Sequence, residues 1–140
     1  MKIAISTSVG GLCDRVCPMF GRCATFTLVE ADEKTQKIVK TVVVPNPGNQ
    51  TGGGAGIIAA QSLIDNEANS VITGNCGPNA LDVLMQARVR VFSSAGLVEE
   101  SVNSLLRGKL PEISTPVAPH FGMNRRSQSG RKWGLRGGRK

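Results

Sequence analysis

The chain of 140 residues contains a single histidine and no stretch of 18 residues free of polar interruption. The first scarcity argues against Ser-His-Asp and Cys-His catalysis in the body of the chain, because His120 lies where a basic tail begins. The second argues against a membrane-spanning helix. The opening Met1-Lys2-Ile3-Ala4-Ile5 has no charged region, long apolar core or cleavage site of an export signal. A cytoplasmic protein without membrane contact is therefore expected. No Gly-Lys-Ser/Thr follows the glycine-rich segments, so there is no Walker loop, and the dinucleotide fingerprint is missing from its usual strand–turn–helix setting. Asp14 beside Arg15, and Asp82 within a helical stretch, read as solvated charges, which leaves no acid–base pair. These absences point to a protein that binds rather than catalyses.

What is present is unevenly placed. The formal net charge is +7, yet residues 1 to 120 hold ten basic and ten acidic side chains. The excess comes from Arg125, Arg126, Arg131, Lys132, Arg136, Arg139 and Lys140, with no acidic residue between 121 and 140. That Gly/Ser-rich segment has too little to bury to offset its ordering entropy and is expected to be disordered. The organisation is thus a domain over residues 1–110 and, over 111–140, a Pro-containing exit with a basic Gly/Arg-rich tail. The tail suits unspecific, salt-sensitive nucleic-acid contact or docking to an acidic partner.

Local patterns predict the elements. Lys2 to Thr7 is a short apolar strand. Thr25 to Glu30 alternates, with Phe26 and Leu28 on one face and Thr25 and Thr27 on the other, as a half-buried strand does. The polar stretch Asp32 to Thr35 turns it into a third strand, Lys37 to Val44, forming an antiparallel hairpin that ends at Pro45 and Pro47. From Gly54 the period becomes helical, with Ile57, Ala60, Leu63 and Ile64 on one face. A strand at Val71 to Thr73 follows. Gly77-Pro78 then starts a helix with Leu81, Leu84 and Met85 as its stripe. Val89 to Phe92 is the last strand, and Leu97 to Arg107 is a helix stopped by Gly108, with Val98, Val102, Leu105 and Leu106 inward.

The order β-β-β-α-β-α-β-α is a hairpin followed by two right-handed crossover units. Segments 8–23, 45–56, 74–78 and 93–96 then share the rim where the upward strands end. In open α/β sheets that rim is the default ligand site. Cys13, Cys17 and Cys23 lie in the first of these segments and Cys76 in the third. In a reducing cytoplasm such thiols bind metal, are redox-active, or simply fill the core. Packing is the reading for Cys23, just before a strand. The C-x3-C-x5-C spacing matches no closed zinc or ferredoxin pattern, and thiolates favour soft or borderline metals. Pro47 to Gly56 is dense in glycine and opens a helix, and Gly74-Asn75-Cys76-Gly77-Pro78 repeats the design. Each is either a tight connection or an anion site built from bare helix-start amides.

These residues resemble the dinitrogenase iron–molybdenum cofactor biosynthesis family over about residues 1 to 110. The likeness rests on Met1-Lys2-Ile3-Ala4-Ile5, Phe20-Gly21-Arg22 before a strand carrying Phe26, Gly53-Gly54-Ala55-Gly56 opening a helix, and Gly74-Asn75-Cys76-Gly77-Pro78-Asn79-Ala80. The resemblance implies an α/β fold with a ribonuclease-H-like motif: three layers, α/β/α, around a five-stranded mixed sheet of order 3-2-1-4-5. It also implies binding or delivery of an iron–molybdenum or other metal–sulfur cluster, with a cluster donor or acceptor protein as partner. Such a cargo is anionic, so Arg22, Gly53, Gly54, Gly56, Asn75 and Gly77 are its expected binding residues. Members often have His before Phe-Gly-Arg, where this chain has Met19, which moves metal ligation to Cys13, Cys17 and Cys76. A nuclease of similar topology would need clustered carboxylates for two divalent ions, and the first strand has none. The alternative is a small-anion or nucleic-acid-binding protein that works through its glycine loops and tail and keeps its cysteines for structure.

Overall fold

In a computed structural model of the chain, residues 1–50 and 53–113 are described. The basic tail, His120 and the nucleic-acid contact expected of them lie outside the described residues. The first strand, β1 (Lys2–Thr7), pairs antiparallel with β2 (Thr25–Asp32), and β2 pairs antiparallel with β3 (Lys37–Pro45). The polar stretch between β2 and β3 closes as a hairpin because Asp32 holds its own turn, its carboxylate accepting from the Lys34 amide at 2.9 Å. A short 3-10 helix, Pro47–Gln50, comes next, followed by α1 (Ala55–Asp65), β4 (Ser70–Thr73), α2 (Pro78–Gln86), β5 (Arg90–Ser93) and α3 (Val98–Leu106). β4 runs parallel to both β1 and β5, so the sheet order is β3-β2-β1-β4-β5.

Side chains that alternate along the strands divide the interior in two. On one face, Ala4, Phe26, Leu28, Val71 and Val91 meet Ala59, Ala60 and Leu63 of α1 and Ala80, Leu81 and Leu84 of α2. On the other, Ile3, Ile5, Val29, Ile72 and Phe92 meet Val98, Val102 and Leu105 of α3. The result is the expected three-layer α/β/α arrangement. Among the described residues, no helix is long and apolar enough to cross a membrane.

Three burial patterns differ from the periodic expectation. Thr27, expected outside, is fully buried because β2 has cover on both faces and its hydroxyl accepts from the Gly11 amide at 3.0 Å. Ile57, expected inside, is 43% exposed, and Ala55 and Ala59 are buried in its place. The small side of α1 is drawn toward α2, where a Cβ on Gly56 would lie 3.1 Å from that of Ala80. Met85 is 49% exposed, since Ala80, Leu81 and Leu84 already complete the inner stripe of α2. Residues 111–113 also differ. They do not leave the fold but lie along the free edge of β5, with Ile113 donating to Val91 O at 2.7 Å and Arg90 paired with Glu112 at 2.9 Å.

Asp14 is more than a solvated charge. Its carboxylate accepts from the amides of Gly10 (2.8 Å), Ser8 (2.9 Å) and Arg15 (2.8 Å), which organises the loop after β1. These bonds, Gly10's foremost, hold its pKa below the ordinary 3.8. A depressed folded-state pKa means the carboxylate stabilises the fold fully above its unfolded value and loses that contribution as pH falls through the folded one. Urea unfolding of Asp14→Asn should therefore show a shallower loss of stability below about pH 4 than wild type. Parallel acid profiles would remove this role.

Candidate functional site

The register Thr7↔Thr25↔Pro45, with Thr73 paired to Ser93, gathers the loops that follow β1, β3, β4 and β5 on one rim. A layer of hydroxyls ties them down. Ser6 Oγ lies 2.7 Å from Cys17 O and 2.9 Å from Thr73 Oγ1, while Thr7 Oγ1 lies 2.7 Å from Thr25 Oγ1 and 3.1 Å from Thr27 Oγ1. Strand alternation gives no sign of this network.

A cavity of about 330 Å³ opens on this rim between Phe20–Arg22, the start of α1 and the start of α2. Neither helix has a side-chain cap. Gly54 precedes α1 in the left-handed conformation (φ 72°), and Gly77 precedes α2 in an extended one, with Pro78 first in the helix. Helix geometry leaves first-turn amides without intrahelical partners, and they carry the positive end of each dipole. Two such ends and Arg22 line one cavity, and helix starts of this kind are favourable places for anions. The third helix is closed instead. The amides of Val98 and Glu99 donate to Asp14 O (2.9 Å) and Leu12 O (3.1 Å), and Glu99 and Glu100 occupy its first turn.

Two features hold the cavity wall in place. Gly21 approaches α1 so closely that a Cβ there would lie 2.9 Å from Gly56 N. Asn46, buried just after β3, donates through Nδ2 to Gly21 O (3.1 Å) and Cys23 O (2.8 Å) and accepts from Gly48 N (2.9 Å). Asn46 was missing from the sequence expectations, and only its place in a Pro-Asn-Pro turn hints at it.

Of the expected binding residues, Arg22, Gly54, Gly56 and Gly77 line the cavity. Gly53 is exposed just before Gly54, and Asn75 is exposed in a bridge with Met19, outside the lining. The cysteines share the rim without sharing a pocket. Cys13 is exposed, on the stretch whose Leu12 and Val16 pack toward α3. Cys17 is half-buried and packs on the opposite side, against the core beneath α1 and α2. Cys76 is buried, and burial pushes its thiol up to about 11. Cys23 is also buried, and burial, with a smaller contribution from Cys17, pushes it up to about 12. Among the described residues, no three His, Cys, Asp or Glu side chains gather as a metal group. In native protein at pH 8, a thiol reagent should modify Cys13 at once and Cys23 and Cys76 only on unfolding, as peptide mapping would show. Rapid labelling of Cys76 would contradict its burial.

Fold and site together define a three-layer α/β domain with two uncapped helix starts opening on one rim cavity. The chain belongs to the dinitrogenase iron-molybdenum cofactor family, whose profile matches residues 1–108. It is 32% identical to the orange protein of Desulfovibrio gigas, solved in its apo form. The TM-score is 0.74, and the match covers 83% of this chain and 95% of that one. A provisionally named NifB protein from Thermotoga shares 26% identity at a TM-score of 0.68, over 85% of this chain and 98% of its own. An uncharacterised protein of Methanocaldococcus jannaschii is 29% identical over 114 residues, 81% of this chain and 92% of that protein.

Proposed function

We propose that this protein is a non-enzymatic carrier or scaffold for an iron–molybdenum or related metal–sulfur cluster. The observation that carries the reading is the meeting of two uncapped helix starts and Arg22 at one cavity. An anionic cluster is the cargo such a wall suits, and 330 Å³ falls within the range of small-ligand pockets. The family description supports the same cargo. Arg22 and the amides following Gly54 and Gly77 would hold the charge, with Gly56 allowing close approach. Gly53 and Asn75 would border the entrance.

Among the thiols, Cys17 is best suited to ligate metal from the rim. Cys76 would first have to give up a proton held to about pH 11, and Cys13 lies toward α3. The four free thiols suit a reducing cytoplasm, and a carrier implies a protein that loads it and one that unloads it. Anaerobic reconstitution with iron, molybdate or copper plus sulfide, followed by metal and sulfide analysis, tests the reading. Wild type should retain colour and metal, and Arg22→Gln should retain less than about a third as much. Equal, near-zero loading of both would overturn it.

A further inference from the structure

The two edges of the sheet are finished differently. Residues 111–113 lie along β5, with Ser93 N donating to Pro111 O at 2.9 Å and Ile113 N to Val91 O at 2.7 Å. At the other edge, β3 has no strand beyond it among the described residues. Strand parity identifies the backbone groups left open there. Met1 and Ala31 exchange both backbone bonds, at 2.9 and 3.1 Å, so the odd residues of β2 bond to β1 and the even ones to β3. Asn46 N donating to Ala24 O at 3.1 Å agrees. Val42 and Val44, opposite Leu28 and Phe26, therefore bond inward, and the N–H and C=O groups of Thr41 and Val43 point off the sheet. The side chains are not those of a solvated strand. Val42 is 41% and Val43 43% exposed, and the loop bearing exposed Val9 abuts Val43, since a Cβ on Gly10 would lie 2.5 Å from Val43 Cγ1. Bare amides beside exposed valines are a template for one more extended strand.

We infer that β3 pairs with β3 of a second copy of this chain, antiparallel about a two-fold axis at Val42, joining two sheets into one. The strand's own sequence selects this occupant and register. An axis at Lys40 would oppose two lysines, which is unfavourable directly across a ladder. One at Val43 would match Thr41 with Pro45, which has no amide to donate. One at Thr41 would match Val43 with Val39, where the ladder skips a residue between Lys40 opposite Glu30 and Ile38 opposite Ala31. The axis at Val42 avoids all three. It sets Thr41 of each copy against Val43 of the other, so every outward amide and carbonyl of these residues finds a partner, and it brings the two Val42 side chains face to face. Lys40 then faces Val44, and Lys37 falls beyond the end of the opposing strand. The basic tail is a poorer occupant, because Lys37 and Lys40 repel it. Since β5 is covered, the pairing closes as a dimer and does not propagate.

The contact is short, so affinity of about micromolar or weaker is expected. The test is sedimentation equilibrium of the full chain from about 10 µM to 1 mM, with amide hydrogen exchange followed by NMR over the same range. A monomer–dimer equilibrium should appear, and the Thr41 and Val43 amides should exchange fast when dilute and slowly when concentrated. Val42→Lys opposes two ammonium groups at the axis and should raise the dissociation constant about tenfold or more, whereas Met85→Lys, at an equally exposed apolar position on α2, should leave it unchanged. In a Cys13→Ser background, Val42→Cys should form a covalent dimer with oxidised glutathione, and the more exposed Val39→Cys should form far less. A monomer at every concentration, or a dimer that Val42→Lys leaves intact, overturns the pairing. Protection of Thr41 and Val43 that does not depend on concentration also overturns it, because another part of the same chain would then hold the edge. No metal enters these measurements, so their outcome is independent of cluster loading.

Discussion

Asn46→Ala should lower the unfolding free energy by about 2–3 kcal/mol, because it leaves several buried polar groups without partners at once. The side chain is 5% exposed and joins three backbone groups: Gly21 O, Cys23 O and Gly48 N. Alanine returns none of these bonds, and the lost side chain leaves too little room to hydrate each group fully. The damage should also extend to the cavity. Gly21 sits against the backbone of Gly56, so loosening its carbonyl frees the Phe20–Arg22 wall from the start of α1. Urea denaturation measures the stability loss, and cluster loading of the surviving folded protein should fall with it. Asn46→Asp keeps the acceptor for Gly48 but removes the donors, so it should recover only part of the stability. A loss below about 0.5 kcal/mol for Asn46→Ala would place it among ordinary surface substitutions and deny it this role.

Local signals made much of this architecture readable. β1 is a short apolar run, the β2–β3 hairpin follows from Asp32 and its polar turn, and α3 shows a clean inner stripe with Gly108 in the left-handed conformation behind it. The cavity was readable for a similar reason, since glycine before a helix marks both a start and an uncapped one, as at Gly54 and Gly77. What stayed hidden depends on contacts between elements. Ile57 and Met85 fit a helical stripe, yet the packing of α1 against α2 decides which part of that stripe is buried. Thr27 belongs to an alternating strand, and only the loop at Gly11 explains its burial. The cysteines show the limit most clearly. Topology places Cys13, Cys17 and Cys76 on one rim, but thiol direction depends on the faces toward which neighbouring residues pack. Leu12 and Val16 turn toward α3, while Cys17 and Cys76 turn toward the core beneath α1 and α2. Asn46 has no periodic signature at all.

The other large effect is expected from Gly77→Asp, which sets helix stability against cargo binding. Gly77 has φ −68° and ψ 165°, within the range of capping residues, and an added Cβ there meets nothing within 4 Å. An aspartate should cap the bare first turn of α2 and favour its dipole, leaving the fold as stable as wild type or about 0.5 kcal/mol more so. The same carboxylate would occupy amides that the cargo needs and place a negative charge in the cavity wall. At an effective dielectric near 20, a unit charge a few ångströms from an anion costs about 3 kcal/mol, roughly a hundredfold in affinity. Gly77→Asn caps without the charge and separates the two effects; it should lose less binding.

The decisive measurement is metal and sulfide per chain after anaerobic reconstitution of wild type, Gly77→Asn and Gly77→Asp, with melting temperatures recorded on the same samples. Loading should fall in that order, to near background for the aspartate, while melting temperature holds or rises. A Gly77→Asp protein that folds normally and loads as fully as wild type would show that the helix starts do not hold the cargo.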